Sequence, residues 1–388
     1  MTVLVFGLLA VFGLGVYFFQ LTAVHSCIMP SRLKAGEFMP PVSILKPLKG
    51  LDDSLYENLE SFCRLDYPKY EIIFALRSTD DPAYRVAQRI KEQYPQIDVS
   101  IVAEWCGEGL NPKVDTIVPA YRASKYGFIL ISDSNVRVKK EYLKEIVKHM
   151  EDPGVGLVSS MIRGTGGRSI GSVFENLHLN TFVVGGVCFL ESFLKTPCVV
   201  GKSMLFRKDH LEEMDGFNAV KDHLAEDYIF GRKMKEIGKK VVLSNYFINT
   251  VNETWEVRQF LARHIRWGKL RRHIGGAAYL LELIGNPVFM SLFPLLIMGP
   301  SMSSVLLPLV VSSIKTAGDF AMGRLIKAEL HPLYYLLSPL KDVLIGLVWF
   351  VPIFSNKVEW RGDRYIIGKD SFLYPIASAS AVQTLHTT

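Results

Sequence analysis

The first segment of the chain carries no formal charge. No Asp, Glu, Lys or Arg precedes Arg32 in the 388 residues, and the segment from Met1 to Val24 is largely apolar. A helix of about 20 such residues crosses the hydrocarbon core of a bilayer. A signal peptide is the alternative, but the run lacks the basic start and the small-residue cleavage pattern of such peptides. Residues 1–26 are therefore predicted to form a transmembrane helix.

A second apolar segment extends from Ile274 to Ile314, and its only charged residue is Glu282. As a continuous helix it would be roughly 60 Å long, twice what one crossing requires. Two spans hinged near Gly299-Pro300 fit this length best.

A third apolar segment, from Leu330 to Ser355, is interrupted by prolines and by Lys341-Asp342. It is predicted to be either a kinked span or a segment that enters and leaves the membrane on one side. We therefore expect a membrane region with two to three hydrophobic segments over residues 274–356, followed by a cytosolic tail over residues 357–388.

Residues 32–273 have an ordinary charge density and alternate between strand-like and helix-like patterns. Short apolar runs predict strands at 42–45, 71–76, 99–103, 128–131, 155–159 and 240–244. Helical patterns occupy 54–63, 82–94 and 113–125. Such alternation predicts an α/β domain with a mainly parallel sheet that is covered on both faces. Sheets of this kind bind ligands beyond the carboxyl ends of their strands.

Basic residues are concentrated where this domain meets the second apolar segment: Arg263, Arg266, Lys269, Arg271 and Arg272. The positive-inside rule then predicts a cytoplasmic domain. The net charge of +6 is better explained by anionic lipid and a phosphorylated substrate than by nucleic acid. The five cysteines form no metal-binding spacing, and their odd number argues against a disulfide framework.

Asp133 directly follows the predicted strand at 128–131, so its carboxylate is expected in the ligand crevice. Together with Asn135 it offers oxygen ligands for a divalent cation, Mg²⁺ or Mn²⁺, that bridges a diphosphate. A turn or helix N-cap aspartate is the alternative, and the spacing leaves both open.

The acidic pair Glu226-Asp227 opens a helical pattern that runs to Ile237. A general base must be a carboxylate or a histidine held near the reacting hydroxyl, and this pair is a candidate. Acids at a helix start are also common because they interact favourably with the helix dipole.

Arg263, Arg266 and Trp267 lie on a predicted amphipathic helix over residues 257–273, and their spacing places them near one face. Arginine suits phosphate through its rigid fork and permanent charge, whereas tryptophan favours the lipid interface. An ordinary interfacial basic helix is the alternative.

Other polar residues also follow predicted strands. Lys113 comes after a glycine-containing loop and is a candidate phosphate contact or an exposed lysine, and Asp80-Asp81 is a candidate crevice contact or a turn cap. Gly201-Lys202-Ser203 has the ending of a nucleotide-binding loop, but Thr196 stands where that motif requires glycine, so the motif is rejected.

Taken together, these segments resemble the membrane glycosyltransferases of the ceramide glucosyltransferase type, close to the hopanoid-biosynthesis glycosyltransferases. The resemblance runs from about residue 41 to 272 and recurs at 359–365. The matching segments are 43–50, 65–68, 111–113, 133–138, 225–228 and the Arg-x-x-Arg-Trp cluster at 263–267.

This resemblance implies a GT-A fold and inverting transfer from a UDP-sugar to the hydroxyl of a membrane lipid. Glucose on a ceramide- or diacylglycerol-like lipid is the first expectation, and N-acetylglucosamine on a hopanoid is the alternative. A processive polysaccharide synthase is disfavoured, because such enzymes carry glutamine where Arg263 stands and have more spans. The expected location is a bacterial inner membrane or a Golgi-like membrane, with the catalytic domain in the cytoplasm.

The resemblance also implies residue roles. Asp133 would hold the diphosphate through Mg²⁺ or Mn²⁺, and Asp227 would deprotonate the lipid hydroxyl. The cluster Arg263, Arg266 and Trp267 would stabilise the leaving diphosphate and shape the acceptor site. The nucleotide pocket would be lined by Lys46, Pro47 and Lys113.

The chain departs from the family pattern at two places. Ser78 stands where an acid is expected, which leaves Asp80 or Asp81 as its substitute in binding the donor. Around residues 180–182, the histidine-containing acceptor segment of the ceramide enzymes has no match.

Overall fold

The apolar runs predicted as strands all belong to one eight-stranded sheet of the computed structural model, which describes residues 1–29, 33–196, 198–360 and 363–376. The strands are β1 (Val42–Pro47), β2 (Tyr70–Leu76), β3 (Asp98–Ala103), β4 (Phe128–Ser132), β5 (Val136–Arg137), β6 (Val155–Gly166), β7 (Ser203–Arg207) and β8 (Lys240–Asn252). Their order is β3-β2-β1-β4-β7-β6-β8-β5. The first four strands pair in parallel, as do β6 and β8, whereas β7 and β5 are antiparallel to their neighbours. The predicted α/β class with a mainly parallel sheet is confirmed.

Helices cover both faces of this sheet because alternate residues of each strand point to opposite sides. The first ten helices are α1 (Thr2–Cys27), α2 (Leu55–Cys63), α3 (Ala83–Gln93), α4 (Pro112–Ala123), α5 (Tyr142–Val147), α6 (Ile170–His178), α7 (Val184–Ser192), α8 (Lys208–Glu213), α9 (Glu226–Glu236) and α10 (Val257–Gly275). Ile44 packs into the apolar core with α2, α3 and α5, whereas the adjacent Leu45 packs with α4, α8 and α9. Both faces of the central strands are therefore buried.

The remaining helices are α11 (Pro287–Met298), α12 (Met302–Leu325), α13 (Ser338–Val348) and α14 (Val351–Phe354). Within the described part of the chain, four helical segments are long and apolar enough to cross a membrane: Thr2–Cys27, Ile170–Ser192, Met302–Leu325 and Pro332–Phe354. Only 17% of the most apolar stretch of Thr2–Cys27 is buried inside the protein, compared with 72% for Ile170–Ser192. The first helix therefore presents its apolar surface outward, whereas Ile170–Ser192 packs mainly against the rest of the protein.

The segment from 274 to 314, for which two spans are expected, contains α11 and the start of α12, and α11 together with the helical segment Val257–Leu283 is apolar enough for one broken span or a re-entrant loop. The chain does break near Gly299-Pro300, where α12 begins. Before that break, however, α11 has only 12 residues, about 18 Å of helix, which is too short for a crossing on its own. It is bent by 56° from the helical segment Val257–Leu283. The Asn286-Pro287 junction separates the two, since proline favours the first helical turn over the interior.

The charged residues that interrupt the third apolar segment are buried in ion pairs. Lys341 lies 2.8 Å from the Asp342 carboxylate, and Lys315 of α12 lies 2.5 Å from Asp319. Tyr17 of α1 donates a hydrogen bond of 2.6 Å to Asp319. Because these charges neutralise one another between helices, Lys341-Asp342 falls inside α13 instead of ending a helix.

The segment after residue 356 forms a small antiparallel sheet, to which the sequence analysis assigned no structure. Its strands are β9 (Lys357–Trp360), β10 (Asp363–Ile367) and β11 (Leu373–Pro375). Ser371 accepts the backbone N–H groups of Leu224 and Ala225, which immediately precede α9. The C-terminal segment therefore supports the start of α9. Two parts of the prediction, Arg361-Gly362 of the family match and 377–388 of the expected tail, lie outside the described residues.

Candidate active site

A cavity of about 630 Å³ lies beside the ends of β1 and β4, in the size range of small-molecule binding sites. Most of the predicted site residues line this cavity: Pro47, Lys113, Asp133, Asn135, Glu226, Asp227, Arg263, Arg266 and Trp267. The acidic pair and the arginine cluster, separated in the sequence, therefore face one space.

Asp227 lies in the first turn of α9, where backbone N–H groups hold its carboxylate. Its Oδ2 accepts the N–H of Gly201 at 2.9 Å, and its Oδ1 accepts that of Tyr228 at 2.8 Å. A Cβ atom at Gly201 would lie 2.8 Å from Oδ2, so only glycine permits this approach. Burial and the adjacent Glu226 raise the pKa of Asp227 to about 6, against the lowering effect of Lys113 and the two N–H groups.

Lys113 connects the two acidic parts of the cavity. Its ammonium lies 2.9 Å from Asp133 Oδ1 and 2.8 Å from Glu226 Oε1. The side chain of Asn111 caps the start of α4 by accepting the N–H of Lys113, which fixes the base of the lysine. Burial opposes the charge, but the two carboxylates outweigh it and raise the pKa of Lys113. Lys113 is therefore a fixed cation inside the cavity.

Asp133 and Asn135 hold a second ammonium group, that of Lys202. Lys202 Nζ lies 3.3 Å from Asp133 Oδ2 and 2.7 Å from Asn135 Oδ1. Burial lowers the pKa of Lys202, and the Asp133 carboxylate partly offsets this. Asp133 thus faces a lysine with each of its two carboxylate oxygens.

The donor atoms at this place fit a cation that completes its coordination with substrate oxygens. No group of three or more His, Cys, Asp or Glu in the described ranges is arranged to hold a metal ion. Magnesium, however, is commonly bound through one or two carboxylates together with substrate phosphates and water. The Lys202 ammonium already occupies a cation position between Asp133 and Asn135.

Arg263 is fixed on α10 by contacts on several sides. Its guanidinium lies 3.0 Å from the fully buried carboxylate of Glu175 on α6 and lies over the rings of Trp255 and Trp267, 5.1 and 4.5 Å from their centroids. His264, the next residue along α10, lies 2.8 Å from the other oxygen of Glu175. These contacts orient α10 so that Arg266 also lines the cavity.

One part of the cavity wall is apolar. It is formed by Ile162, Val183, Val187, Val199 and Leu270. Val183 and Val187 belong to the apolar segment Ile170–Ser192, which is long enough to cross a membrane. The cavity thus combines charged groups with a surface that suits a hydrocarbon chain.

Three of the predicted donor-binding residues do not line the cavity: Lys46, Asp80 and Asp81. Lys46 is fully buried, donates to the backbone carbonyl of Asp133 at 2.9 Å and lies over the ring of Phe62. Asp81 accepts the N–H groups of Gly50 and Ala83, which joins the loop after β1 to the start of α3. Asp80 accepts the hydroxyl of Ser78. Lys46 and Asp81 therefore have structural roles. Their role in donor binding remains a prediction.

Two functional residues were missed by the sequence analysis: Lys202, which lines the cavity, and Glu175, which is buried behind it and pairs with Arg263. Lys202 was judged only as part of a nucleotide-loop motif, and the strand that follows it, β7, was not predicted. The apolar run of Met204 to Phe206, directly after Ser203, was the available signal for that strand. Glu175 sits in an apolar segment, where a lone carboxylate signals an unseen cationic partner.

A family model described as glycosyl transferase family 21 matches residues 5–372 of the chain. Ceramide glucosyltransferase 3 of Caenorhabditis elegans is 28% identical over 348 residues, which cover 86% of this chain and 74% of the relative. Ceramide glucosyltransferase 1 of the same organism is 30% identical over 261 residues, 66% of this chain and 54% of the relative. The second relative is thus matched over about half its length.

Among solved structures, a mannosyltransferase of Pyrobaculum calidifontis in complex with GDP-mannose and Mn²⁺ superimposes with a TM-score of 0.55. The match covers 91% of this chain and 98% of that one at 16% identity, so the likeness concerns the fold. With the mixed sheet and flanking helices it confirms the expected GT-A architecture with apolar helices at both ends. The chain therefore belongs to glycosyl transferase family 21 and is a membrane-associated glycosyltransferase.

Proposed function

We propose that this enzyme transfers a sugar, with glucose as the first choice, from a UDP-sugar to the hydroxyl of a ceramide- or diacylglycerol-like membrane lipid. The names of the C. elegans relatives support a ceramide acceptor and a glucose donor. No observation favours the hopanoid alternative, which is retained only as an arm of the test below.

The observation that carries the proposal is the set of side chains that line the 630 Å³ cavity. Asp227, held by backbone N–H groups, faces the same space as Lys113 and Arg266 and the apolar wall. A lipid glycosyl transfer requires these three elements: a base for the hydroxyl, cations for the leaving diphosphate, and an apolar surface for the acceptor's chain.

Asp227 suits the base better than its neighbour Glu226 does. The Glu226 carboxylate forms a salt bridge of 2.8 Å with Lys113. Asp227 accepts backbone N–H groups, and its pKa of about 6 keeps it ionised but basic near neutral pH. We assign Glu226 to positioning Lys113.

The proposed reaction is a single displacement. The lipid hydroxyl gives its proton to the Asp227 carboxylate while its oxygen forms a bond to the anomeric carbon of the sugar. The bond between that carbon and the diphosphate oxygen breaks, and the electron pair leaves on UDP. Attack opposite to the leaving group inverts the anomeric configuration.

Negative charge that develops on the departing diphosphate is stabilised most by cations fixed before the reaction. Lys113, Arg263 and Arg266 line the cavity, and Arg263 lies over the rings of Trp255 and Trp267. The salt bridge from Arg263 to Glu175 suggests that Arg263 mainly positions α10. We assign Arg266, whose side chain lines the cavity, a direct role toward the diphosphate.

Mg²⁺ or Mn²⁺ would be held by Asp133 and Asn135 together with diphosphate oxygens. Such a cation supplies Lewis-acid stabilisation of the leaving oxygen when it is bound. Asp133 is suited to this because its carboxylate lines the cavity and already attracts two ammonium groups.

The proposed orientation places the α/β domain in the cytoplasm, on the side where UDP-sugars are available. The basic residues at the end of α10 support this, although several also bind protein groups. Arg271 pairs with Glu282 at 2.9 Å, and Arg272 donates to the carbonyl of Ile353 at 2.9 Å. The proposed orientation therefore rests on the number of basic residues near the membrane segments and not on basic side chains that bind lipid.

The pH dependence of the reaction should report the Asp227 carboxylate. Because the base acts only when deprotonated, kcat/KM is expected to fall as the pH drops through about 6 and to level off above it. Below that value the loss should approach about tenfold per pH unit for one essential group. A profile that stays flat down to pH 5 would contradict a base with a pKa raised by burial.

The donor and acceptor are tested together with purified protein in lipid nanodiscs. Labelled UDP-glucose or UDP-N-acetylglucosamine is offered with ceramide, diacylglycerol or a hopanoid, and products are identified by mass spectrometry. Glucosylceramide or glucosyl-diacylglycerol from UDP-glucose is expected. Exclusive use of UDP-N-acetylglucosamine with the hopanoid, or growth of a polysaccharide, would replace the proposal.

A further inference from the structure

The proposed reaction assigns no role to Lys202. This residue precedes β7, whose first residue, Ser203, pairs with Ser132 at the end of β4 in antiparallel register. This pairing fixes Lys202 beside Asp133, the residue that follows β4. The sheet itself therefore determines where the ammonium group lies.

The surroundings of that ammonium are those of a bound cation. It contacts Asp133 Oδ2 and Asn135 Oδ1 at 3.3 and 2.7 Å, and the side chain is 10% exposed. Lys113 faces the other oxygen of Asp133 at 2.9 Å. A divalent metal that used Asp133 and Asn135 would have to displace Lys202 or stand within a few ångströms of its charge.

We propose that Lys202 is the resident cation of the donor site: its ammonium competes with a divalent metal for Asp133 and Asn135, and it neutralises the donor diphosphate when no metal is bound. This inference rests on the proposed UDP-sugar donor. Like charges at such separations repel strongly in a partly buried site. Lys202 therefore weakens metal binding and leaves the enzyme only partly dependent on metal.

The competition is measured by Mn²⁺ titration of the full-length protein in detergent with UDP present, following free Mn²⁺ by electron paramagnetic resonance. Lys202→Met removes the charge but keeps the length of the side chain, and it is expected to bind Mn²⁺ at least about tenfold more tightly than the wild type. Lys202→Arg keeps the charge and should bind like the wild type. Equal Mn²⁺ affinities in the wild type and Lys202→Met would overturn the competition.

Lys148→Met is the matched control. Lys148 is also a buried lysine, 6% exposed and paired with a carboxylate, Glu145, at 2.6 Å, but it does not line the cavity. It should leave Mn²⁺ affinity unchanged. Addition of Asp133→Asn to Lys202→Met should remove the gained affinity; retention of that affinity would locate the metal elsewhere and overturn the assignment.

The second half of the proposal is tested without relying on a variant. After EDTA treatment and extensive washing, the wild type should retain a measurable fraction of its turnover, whereas complete loss would overturn diphosphate neutralisation by Lys202.

If Lys202→Met does not fold, as judged by its thermal-unfolding midpoint, Lys202→Gln replaces it in the titration. Mn²⁺ binding needs no sugar transfer, so a failure of the proposed reaction with every donor is distinguishable from a failure of this inference.

Discussion

Replacement of Asp227 by asparagine should lower turnover by about 10²–10⁴-fold, the usual contribution of a general base. Asparagine keeps the shape of the side chain, and its oxygen can still accept one of the N–H groups of Gly201 and Tyr228. UDP binding should therefore be largely retained, since the cations that face the diphosphate are untouched. Turnover with saturating donor and acceptor, and UDP affinity by calorimetry, measure the two effects separately.

Glu236→Gln provides the control for this variant. Glu236 ends the same helix, α9, and its side chain is 50% exposed in surface pairs with Arg232 and Lys233. Its neutralisation should leave turnover and UDP binding unchanged. Full activity of Asp227→Asn would remove Asp227 from the chemistry, and equal losses in turnover and UDP binding would reassign it to the donor site.

Replacement of Arg266 by alanine should lower turnover by about 10²–10³-fold, as removal of one preorganised group facing developing negative charge does in other enzymes. Arg266→Lys should recover only part of the activity, because lysine keeps the charge but lacks the planar fork that binds two phosphate oxygens at once. Steady-state kinetics with the donor varied would measure both effects.

Arg258→Ala on the same helix is the matched control. The Arg258 side chain is 89% exposed and lies outside the cavity lining. Its loss should leave kinetics unchanged. If Arg266→Ala and Arg258→Ala behave alike, α10 contributes only an interfacial basic surface, the alternative that its sequence left open.

The central strands were predictable because each is a nearly continuous apolar run that is buried on both faces. Residues 42–45, 71–76 and 128–131 all fall within β1, β2 and β4. The extensions of β6 and β8 beyond their predicted ends were not predictable, because their later residues are mixed in polarity. In β8, the burial alternates irregularly over Lys240–Asn252.

The proximity of Lys202 and Asp133 could not be derived from either local sequence. It depends on the antiparallel pairing of β4 with β7, which joins residues about 70 positions apart. The sequence of Gly201-Lys202-Ser203 does not match a nucleotide-binding loop. That mismatch gives no information on whether strand pairing places Lys202 in the cavity. The same limit applies to Gly201, whose contact with Asp227 is also long-range.

The helical spacing of Arg263, Arg266 and Trp267 predicted that they lie near one face of a helix, and all three line the cavity, because that relation is local to one helix. Their different environments were not predictable. Arg263 is paired with Glu175 of α6, and that contact needs the whole arrangement of α6 against α10. The membrane helices show the same limit, since Lys341 and Asp342 interrupt the third apolar segment in the sequence, and only the fold shows that Lys341 also lies 4.0 Å from Asp319 of α12.

The central claim is a single displacement in which the hydroxyl deprotonated by Asp227 attacks opposite to the diphosphate. The anomeric configuration of the glycolipid product tests it most directly. UDP-glucose carries an α-linked sugar, so nuclear magnetic resonance of the purified product should show the β-linked glycolipid. A product with the α-linkage would contradict the account, because it would require a second displacement or attack from the face of the leaving group.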